Sequence, residues 1–272
     1  MIDSQGRFVW YELMTTDMEA ARAFYADVVG WGTEDASSPE MGYTLFTTGG
    51  GSVSGLMGLS PDARKRGAKP SWIGYVGADD VDDTAERIKS LGGLVHVPPN
   101  DIPKVSRFSV VADPQRATLA LIKGREGAQQ QPPQADAPGH VVWRELIASN
   151  WEKAFVFYNT LLGWQKASAS PDPTGIYQEF SAGTEAIGGM FNRPDGAAFS
   201  VWLYYFGVSD IEAAAKQIVA LGGKIIYGPL TVPGAARLIQ CRDPQGAVFG
   251  LMDRRVRITI GCYSPRDQQK PR

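Results

Sequence analysis

Two stretches of this chain repeat one arrangement of apolar and polar positions. FVWYELMTTDMEAARAFYADVVGW (8–31) alternates through its first eight residues as a strand does, and VVWRELIASNWEKAFVFYNTLLGW (141–164) does the same. Each then changes to helical spacing. In the first copy Ala21, Phe24, Tyr25, Val28 and Val29 form the stripe; in the second it is Ala154, Phe157, Tyr158, Leu161 and Leu162. Asp17 and Asn150 are short acceptor side chains placed to cap the free N–H groups of the two helices. Gly30 and Gly163 supply the left-handed stop, so both segments read as strand, capped helix and sharp end.

The duplication extends through most of the chain. A register of 133 residues relates Trp10/Trp143, Gly55/Gly188, Met57/Met190 and Pro61/Pro194; after a short deletion it becomes 130 from Trp72/Trp202 to Leu121/Leu251. Within each half a second strand and helix follow. Their predicted stripes are Val81, Ala85, Ile88, Leu91 and Ile211, Ala215, Ile218, Leu221, with a double glycine ending each helix. Short β-rich runs then lie on either side of Asp113-Pro114-Gln115 and Asp243-Pro244-Gln245, giving a β-α-β-β-β unit four times over. The Gln- and Pro-rich run between the halves reads as a linker. The expected organisation is a first domain over 1–123, a linker over 124–138, a second domain over 139–260 and a disordered tail over 261–272.

Composition narrows the function classes. With 27 basic against 29 acidic residues, no overall field favours nucleic acid or an anionic membrane. No apolar run reaches the ~20 residues of a membrane span, and no secretion signal opens the chain, so a cytoplasmic protein is expected. Two cysteines, Cys241 and Cys262, do not make a disulfide framework. Reduced thiols are expected.

The ordered motifs Asp17…Phe24-Tyr25…Gly30-Trp31, Asp80-Val81-Asp82…Leu91-Gly92-Gly93 and Asp113-Pro114-Gln115, with their second-half partners, resemble the vicinal oxygen chelate superfamily of glyoxalases, bleomycin resistance proteins and extradiol dioxygenases. The resemblance covers nearly everything outside linker and tail, and is greatest to a two-copy, glyoxalase-like branch. It implies an α+β fold of tandem glyoxalase-like domains, each built of two βαβββ modules forming a cupped mixed β-sheet with helices outside and the ligand inside the cup. It also implies where metal-using members hold their ligands, and those places carry Trp10 and Trp143 on the first strands and Ala120 and Gly250 on the closing strands. On the first strand of each internal repeat the implied position is Ile73 or Leu203 in gapless register, Trp72 or Trp202 with a one-residue bulge. None of these side chains donates to zinc, iron or nickel, and the chain has two histidines, so no metal and no cofactor is expected.

Strand alternation gives the contents of the cup. Trp10, Glu12 and Met14 should face inward in the first half with Ala120, and Trp143, Glu145 and Ile147 in the second with Gly250; in gapless register Tyr75 and Tyr205 join them. Aromatic walls, small floor residues and one carboxylate suit a flat apolar ligand. The competing reading is a packed core, in which the indoles refill the vanished metal site over Ala120 and Gly250 and each glutamate closes an ion pair with Arg107 or Arg237. The function expected first is metal-free binding of a small apolar or aromatic molecule, by a monomer with paired halves or a homodimer. An enzyme using Glu12 or Glu145 as acid or base stands second, then a metal-dependent enzyme and a scaffold.

Overall fold

A computed structural model describes residues 4–39, 41–103, 105–124, 137–194, 199–232 and 236–253. Most of the expected linker and the whole expected tail, Cys262 included, lie outside the described residues.

The first half runs β1 (Phe8–Thr15), α1 (Met18–Val29), β2 (Gly32–Asp35), β3 (Tyr43–Thr48), β4 (Gly51–Gly58), α2 (Pro61–Lys65), β5 (Ser71–Gly77), α3 (Val81–Ser90), β6 (Leu94–Ile102), β7 (Ser106–Ala112) and β8 (Thr118–Gly124). The second repeats it as β9 (Val141–Ala148), α4 (Trp151–Leu162), β10 (Gln165–Asp172), β11 (Gly175–Ala182), β12 (Glu185–Asn192), β13 (Val201–Val208), α5 (Ile211–Ala220), β14 (Lys224–Thr231), β15 (Arg237–Arg242) and β16 (Val248–Asp253). Each half is one 8-stranded mixed sheet, in the orders β2-β3-β4-β1-β5-β8-β7-β6 and β10-β11-β12-β9-β13-β16-β15-β14. Four βαβββ modules are therefore present, two to a sheet, joined at β1–β5 and β9–β13.

Local chemistry accounts for the helix ends. The side chains of Asp17 and Asn150 accept from the backbone N–H of Ala20 and Lys153, and Gly30 and Gly163 close the helices at φ 83 and 75°. The stripe predicted for α1 is the buried set, and α4 adds Trp151 and Phe155 to its own. In α3 and α5 the stripe ends earlier than the spacing suggested. Leu91 and Leu221 are C-cap residues left 38 % and 37 % exposed, because the chain turns away there, and Thr84 and Ala214 fill the buried face instead.

Strand pairing corrects the repeat register. Glu12 lies opposite Gly55 and Glu145 opposite Gly189, while Leu56 pairs with Leu13 and Met190 with Leu146, so the offset on β4/β12 is 134, not 133. One residue enters between Trp31/Trp164 and Tyr43/Tyr177, in the first hairpin of the second half. Matching Gly55 to Gly188 and Met57 to Met190 followed residue identity across that insertion. The gapless alternative on β5 and β13 is the one observed, since Ile73 pairs with Glu12 and Leu203 with Glu145. Trp72 and Trp202 accordingly face away from the cups.

The convex faces meet in one apolar core that runs through both halves. Trp31 packs edge-on against Phe206 at 4.9 Å between ring centroids, and Phe8 against Trp202 at 5.6 Å. Polar groups in this core are paired across the junction in near-equivalent sets. Trp72 donates to Tyr25 (2.9 Å), which donates to Asp243 (3.1 Å); Trp202 donates to Tyr158 (3.1 Å), which donates to Asp113 (3.2 Å). Asp243 and Asp113 also accept backbone N–H groups of their own Asp-Pro-Gln turns, which ties those turns to the opposite half. The equivalent positions Tyr11 and Arg144 meet directly, the buried guanidinium donating to the phenol at 2.6 Å and to two backbone carbonyls. Gly74 is required at its position, since a Cβ there would lie 2.8 Å from the Tyr204 ring, which crosses from the other half. The Tyr204 hydroxyl accepts the Gly74 N–H at 2.8 Å. Among the described residues no helix is long and apolar enough to cross a membrane.

Removing either junction phenol hydroxyl leaves a buried aspartate and an indole N–H short of a partner. Tyr25→Phe and Tyr158→Phe should each lower unfolding free energy by about 1–3 kcal/mol in urea titrations followed by tryptophan fluorescence. Val156→Ala on the exposed face of α4 should change it by less than about 0.5 kcal/mol.

Candidate functional site

Each cup is built around the central antiparallel strand pair. Alternation on β1 turns Trp10, Glu12 and Met14 to the concave side, and β5 opposes them with Tyr75 across from Trp10 and Ile73 across from Glu12. Parallel pairing of β5 with β8 places Ala120 beside Tyr75. In the second half Trp143, Glu145 and Ile147 on β9 face Tyr205 and Leu203 on β13, with Gly250 of β16 beside Tyr205. The structure thus brings together Glu12, Trp10, Met14, Tyr75 and Ala120 in one cup and Glu145, Trp143, Tyr205 and Gly250 in the other.

Tyrosines are the partners of the two glutamates. Glu12 accepts from Tyr43 at Oε1 (2.8 Å) and from Tyr75 at Oε2 (2.7 Å), and Trp10 Nε1 donates to the Tyr43 oxygen at 3.3 Å. Glu145 accepts from Tyr177 at Oε1 (3.0 Å) and from Tyr205 at Oε2 (2.6 Å), and Trp143 donates to Tyr177 at 2.6 Å. An indole N–H can only donate, so the proton of Tyr43 or Tyr177 is directed to the carboxylate. The ion pairs expected with Arg107 and Arg237 do not form. Arg107 binds Asp82 and Asp101, and Arg237 binds Glu212 and Asp253, because their strands carry these guanidinium groups toward α3, α5 and the sheet ends.

Tyr43 and Tyr177 were not singled out in the sequence, and they supply half of each clamp. The signal was present but displaced, since they align only at the offset of 134 that also matches the buried Phe46 to Phe180. Glycines make room for them. A Cβ on Gly55 would lie 2.0 Å from the Tyr43 hydroxyl, and one on Gly189 would lie 2.2 Å from the Tyr177 ring. The floor residues also differ from expectation in what lies over them. Tyr75 covers Ala120 and Tyr205 covers Gly250, where an added Cβ would approach the ring to 2.2 Å. The indoles lean instead toward Tyr43 and Tyr177, leaving Trp10 and Trp143 half-buried at the cup surface.

Burial dominates the electrostatics. It pushes the Glu12 and Glu145 carboxyls above the ordinary range, against the lowering effect of two phenol hydrogen bonds each. Tyr43, Tyr75, Tyr177 and Tyr205 are pushed upward by burial and by the adjoining carboxylate, so they serve as neutral donors. Cys241 lies in the shared core with its thiol pushed up to about 12 by burial, an inert side chain.

The donor set does not fit a transition-metal site. The positions at which the family resemblance implies metal ligands carry indole, aliphatic or no side chain, and one carboxylate per cup has both oxygens engaged. No group of three His, Cys, Asp or Glu side chains that could hold an ion occurs among the described residues. What each cup offers is a desolvated carboxylate flanked by phenols beneath half-buried apolar walls, able to hold a proton or to orient a polar group on an apolar body.

Comparisons with known proteins agree with this fold. The profile of the Glyoxalase/Bleomycin resistance protein/Dioxygenase superfamily matches residues 7–121 and 137–251. CFP32 of Mycobacterium bovis, provisionally named a glyoxylase, is 32 % identical over 252 residues, 91 % of this chain and 95 % of that protein. The anthracycline biosynthesis protein DauV of Streptomyces sp. strain C5 is 29 % identical over 266 residues, covering 92 % and 94 %. Among solved structures, the Mn(II)-bound glyoxalase from Novosphingobium aromaticivorans superposes with a TM-score of 0.61 at 17 % identity, over 93 % of this chain and 83 % of that one, which speaks for the fold alone.

The titration of the clamped glutamates has a measurable sign. Their folded-state pKa lies above the unfolded value of 4.5, so the folded chain holds its proton longer and stability is lost as pH rises from 4.5 through the folded pKa, levelling off above it. Glu145→Gln cannot titrate. The stability of wild type minus that of Glu145→Gln should be greatest below pH 4.5 and fall as pH rises, by about 1.4 kcal/mol per unit of pKa elevation, in chemical denaturation at a series of pH values.

Proposed function

The chain belongs to the glyoxalase/bleomycin resistance protein/dioxygenase superfamily, and from that premise we propose that it is a metal-free member that holds a small apolar or aromatic molecule in a cup. The carrying observation is one carboxylate in each cup whose two oxygens each accept a tyrosine O–H. Such a clamp fixes a polar anchor at the floor of an apolar concavity, the usual composition of a small-molecule site. Half-buried Trp10 and Met14 pack beside buried Tyr75 in one cup, as half-buried Trp143 does beside buried Tyr205 in the other, which supports walls of this kind. The relatives named for anthracycline biosynthesis support an aromatic small molecule over nucleic acid or a membrane as the occupant. The shared core supports a working unit of one chain with its halves paired.

A second reading is favoured by the raised glutamate pKa. A carboxyl held above its ordinary range, hydrogen-bonded to a phenol, is suited to take or deliver a proton at a carbonyl or aromatic substrate, with Glu12 or Glu145 as acid or base. The two readings separate experimentally. Calorimetry with planar aromatic compounds should detect binding to the wild type that weakens by about tenfold in Glu12→Gln, consistent with loss of a charge-assisted contact. A panel of fused-ring aromatics that neither bind nor raise the melting temperature would refute the binding reading. Turnover of any such compound that survives in both Glu12→Gln and Glu145→Gln would exclude the acid/base reading.

A further inference from the structure

The two cups share a design but not a hydrogen-bond count. In the second, Trp143 donates to Tyr177, Gln240 Nε2 donates to Tyr205 at 2.8 Å, and both phenols donate to Glu145. Each phenol there gives its proton and receives one. In the first, Trp10 donates to Tyr43 and both phenols donate to Glu12, but among the described residues nothing donates to Tyr75. The position that holds Gln240 is Val110. Gln240 pairs with Gly250 on the neighbouring strand as Val110 pairs with Ala120, and valine ends at Cγ where glutamine continues to an amide.

A phenol oxygen has two acceptor sites beside its one donor. Tyr75 is 7 % exposed, and while its hydroxyl donates to Glu12, no described side chain donates to its oxygen. The half-buried side chains around it are Met14, Phe108, Val110 and Ile122, an apolar collar. Resting on the binding reading above, we propose that the first cup alone is the ligand cup, and that its ligand presents a hydroxyl of phenolic or enolic type to the Tyr75 oxygen on an apolar, ring-sized body. The second cup is a saturated copy in which Gln240 occupies the place of that hydroxyl. The chain of donors then becomes ligand O–H to Tyr75 to Glu12, matching Gln240 to Tyr205 to Glu145. The same chain lets a proton pass without a net change in atoms: the ligand O–H bond breaks as the Tyr75 oxygen takes its hydrogen, and the original Tyr75 hydrogen moves to Glu12.

The test uses the full chain and three probes: 2-naphthol, 2-methoxynaphthalene and naphthalene, titrated calorimetrically. Wild type should bind one equivalent of 2-naphthol, with the ether and the hydrocarbon weaker by about tenfold or more, the scale of a lost buried hydrogen bond. Val110→Gln should weaken 2-naphthol by about tenfold while keeping the circular dichroism and melting temperature of a folded chain, and Tyr75→Phe should abolish the preference over the ether. Gln240→Val should gain a second equivalent. Two equivalents on wild type, an unchanged affinity in Val110→Gln, or equal affinity for all three probes would overturn this assignment while leaving ligand binding intact. No binding of any probe to wild type would overturn both.

Discussion

Everything in the cups depends on a carboxylate taken out of water with no cation beside it among the described residues. Leaving such a group unpaired costs several kcal/mol, and here the cost is offset by neutral donors rather than by a salt bridge or a metal. Two phenols reach each glutamate from opposite sides, one from the hairpin that follows the helix and one from the strand opposite. That requirement explains the small residues around them. Gly55, Gly189 and Gly250 are the places where a side chain would collide with a clamping tyrosine. The same requirement explains why the indoles stand at the rim, where their N–H groups orient the hydroxyls of Tyr43 and Tyr177.

The clamp can be rigid because the sheets behind it are held together. The convex faces of the two sheets carry the aromatic core, and the Tyr25–Asp243 and Tyr158–Asp113 contacts knit the loop ends of one half to the first helix of the other. Duplication gives the fold nearly two-fold junction chemistry, broken where Tyr11 meets Arg144. Once the shared core secures both halves, each cup is free to diverge. The first carries Val110 and Ala120 where the second carries Gln240 and Gly250.

Most of the architecture was legible in the sequence because it is written locally. Cap, stripe and glycine stop are set within one helix, and a strand's two faces follow from alternation alone, which puts Trp10 and Glu12 on one face of β1; Tyr75 depends further on the gapless register that the pairing of β1 with β5 shows. The misreadings came from relations between segments. One inserted residue between Trp164 and Tyr177 moved the true register from Gly188 to Gly189, which hid the Tyr43/Tyr177 pair. Partner choice for Glu12 was equally invisible, because charge suggested Arg107, whereas strand direction sends Arg107 to Asp82 and leaves the glutamate to phenols. The helix residue Tyr25 was readable as core, but not its hydrogen bond to an aspartate 218 positions away.

The central claim is the proposed one, that each cup is organised by a tyrosine-clamped carboxylate and holds no metal ion. Elemental analysis by inductively coupled plasma mass spectrometry, on protein purified without chelator and then titrated with Mn(II), Zn(II), Ni(II) and Fe(II), addresses it most directly. The account predicts only traces of transition metal after purification and no saturable uptake in either half. A stoichiometric ion that Glu12→Gln or Glu145→Gln releases would contradict it.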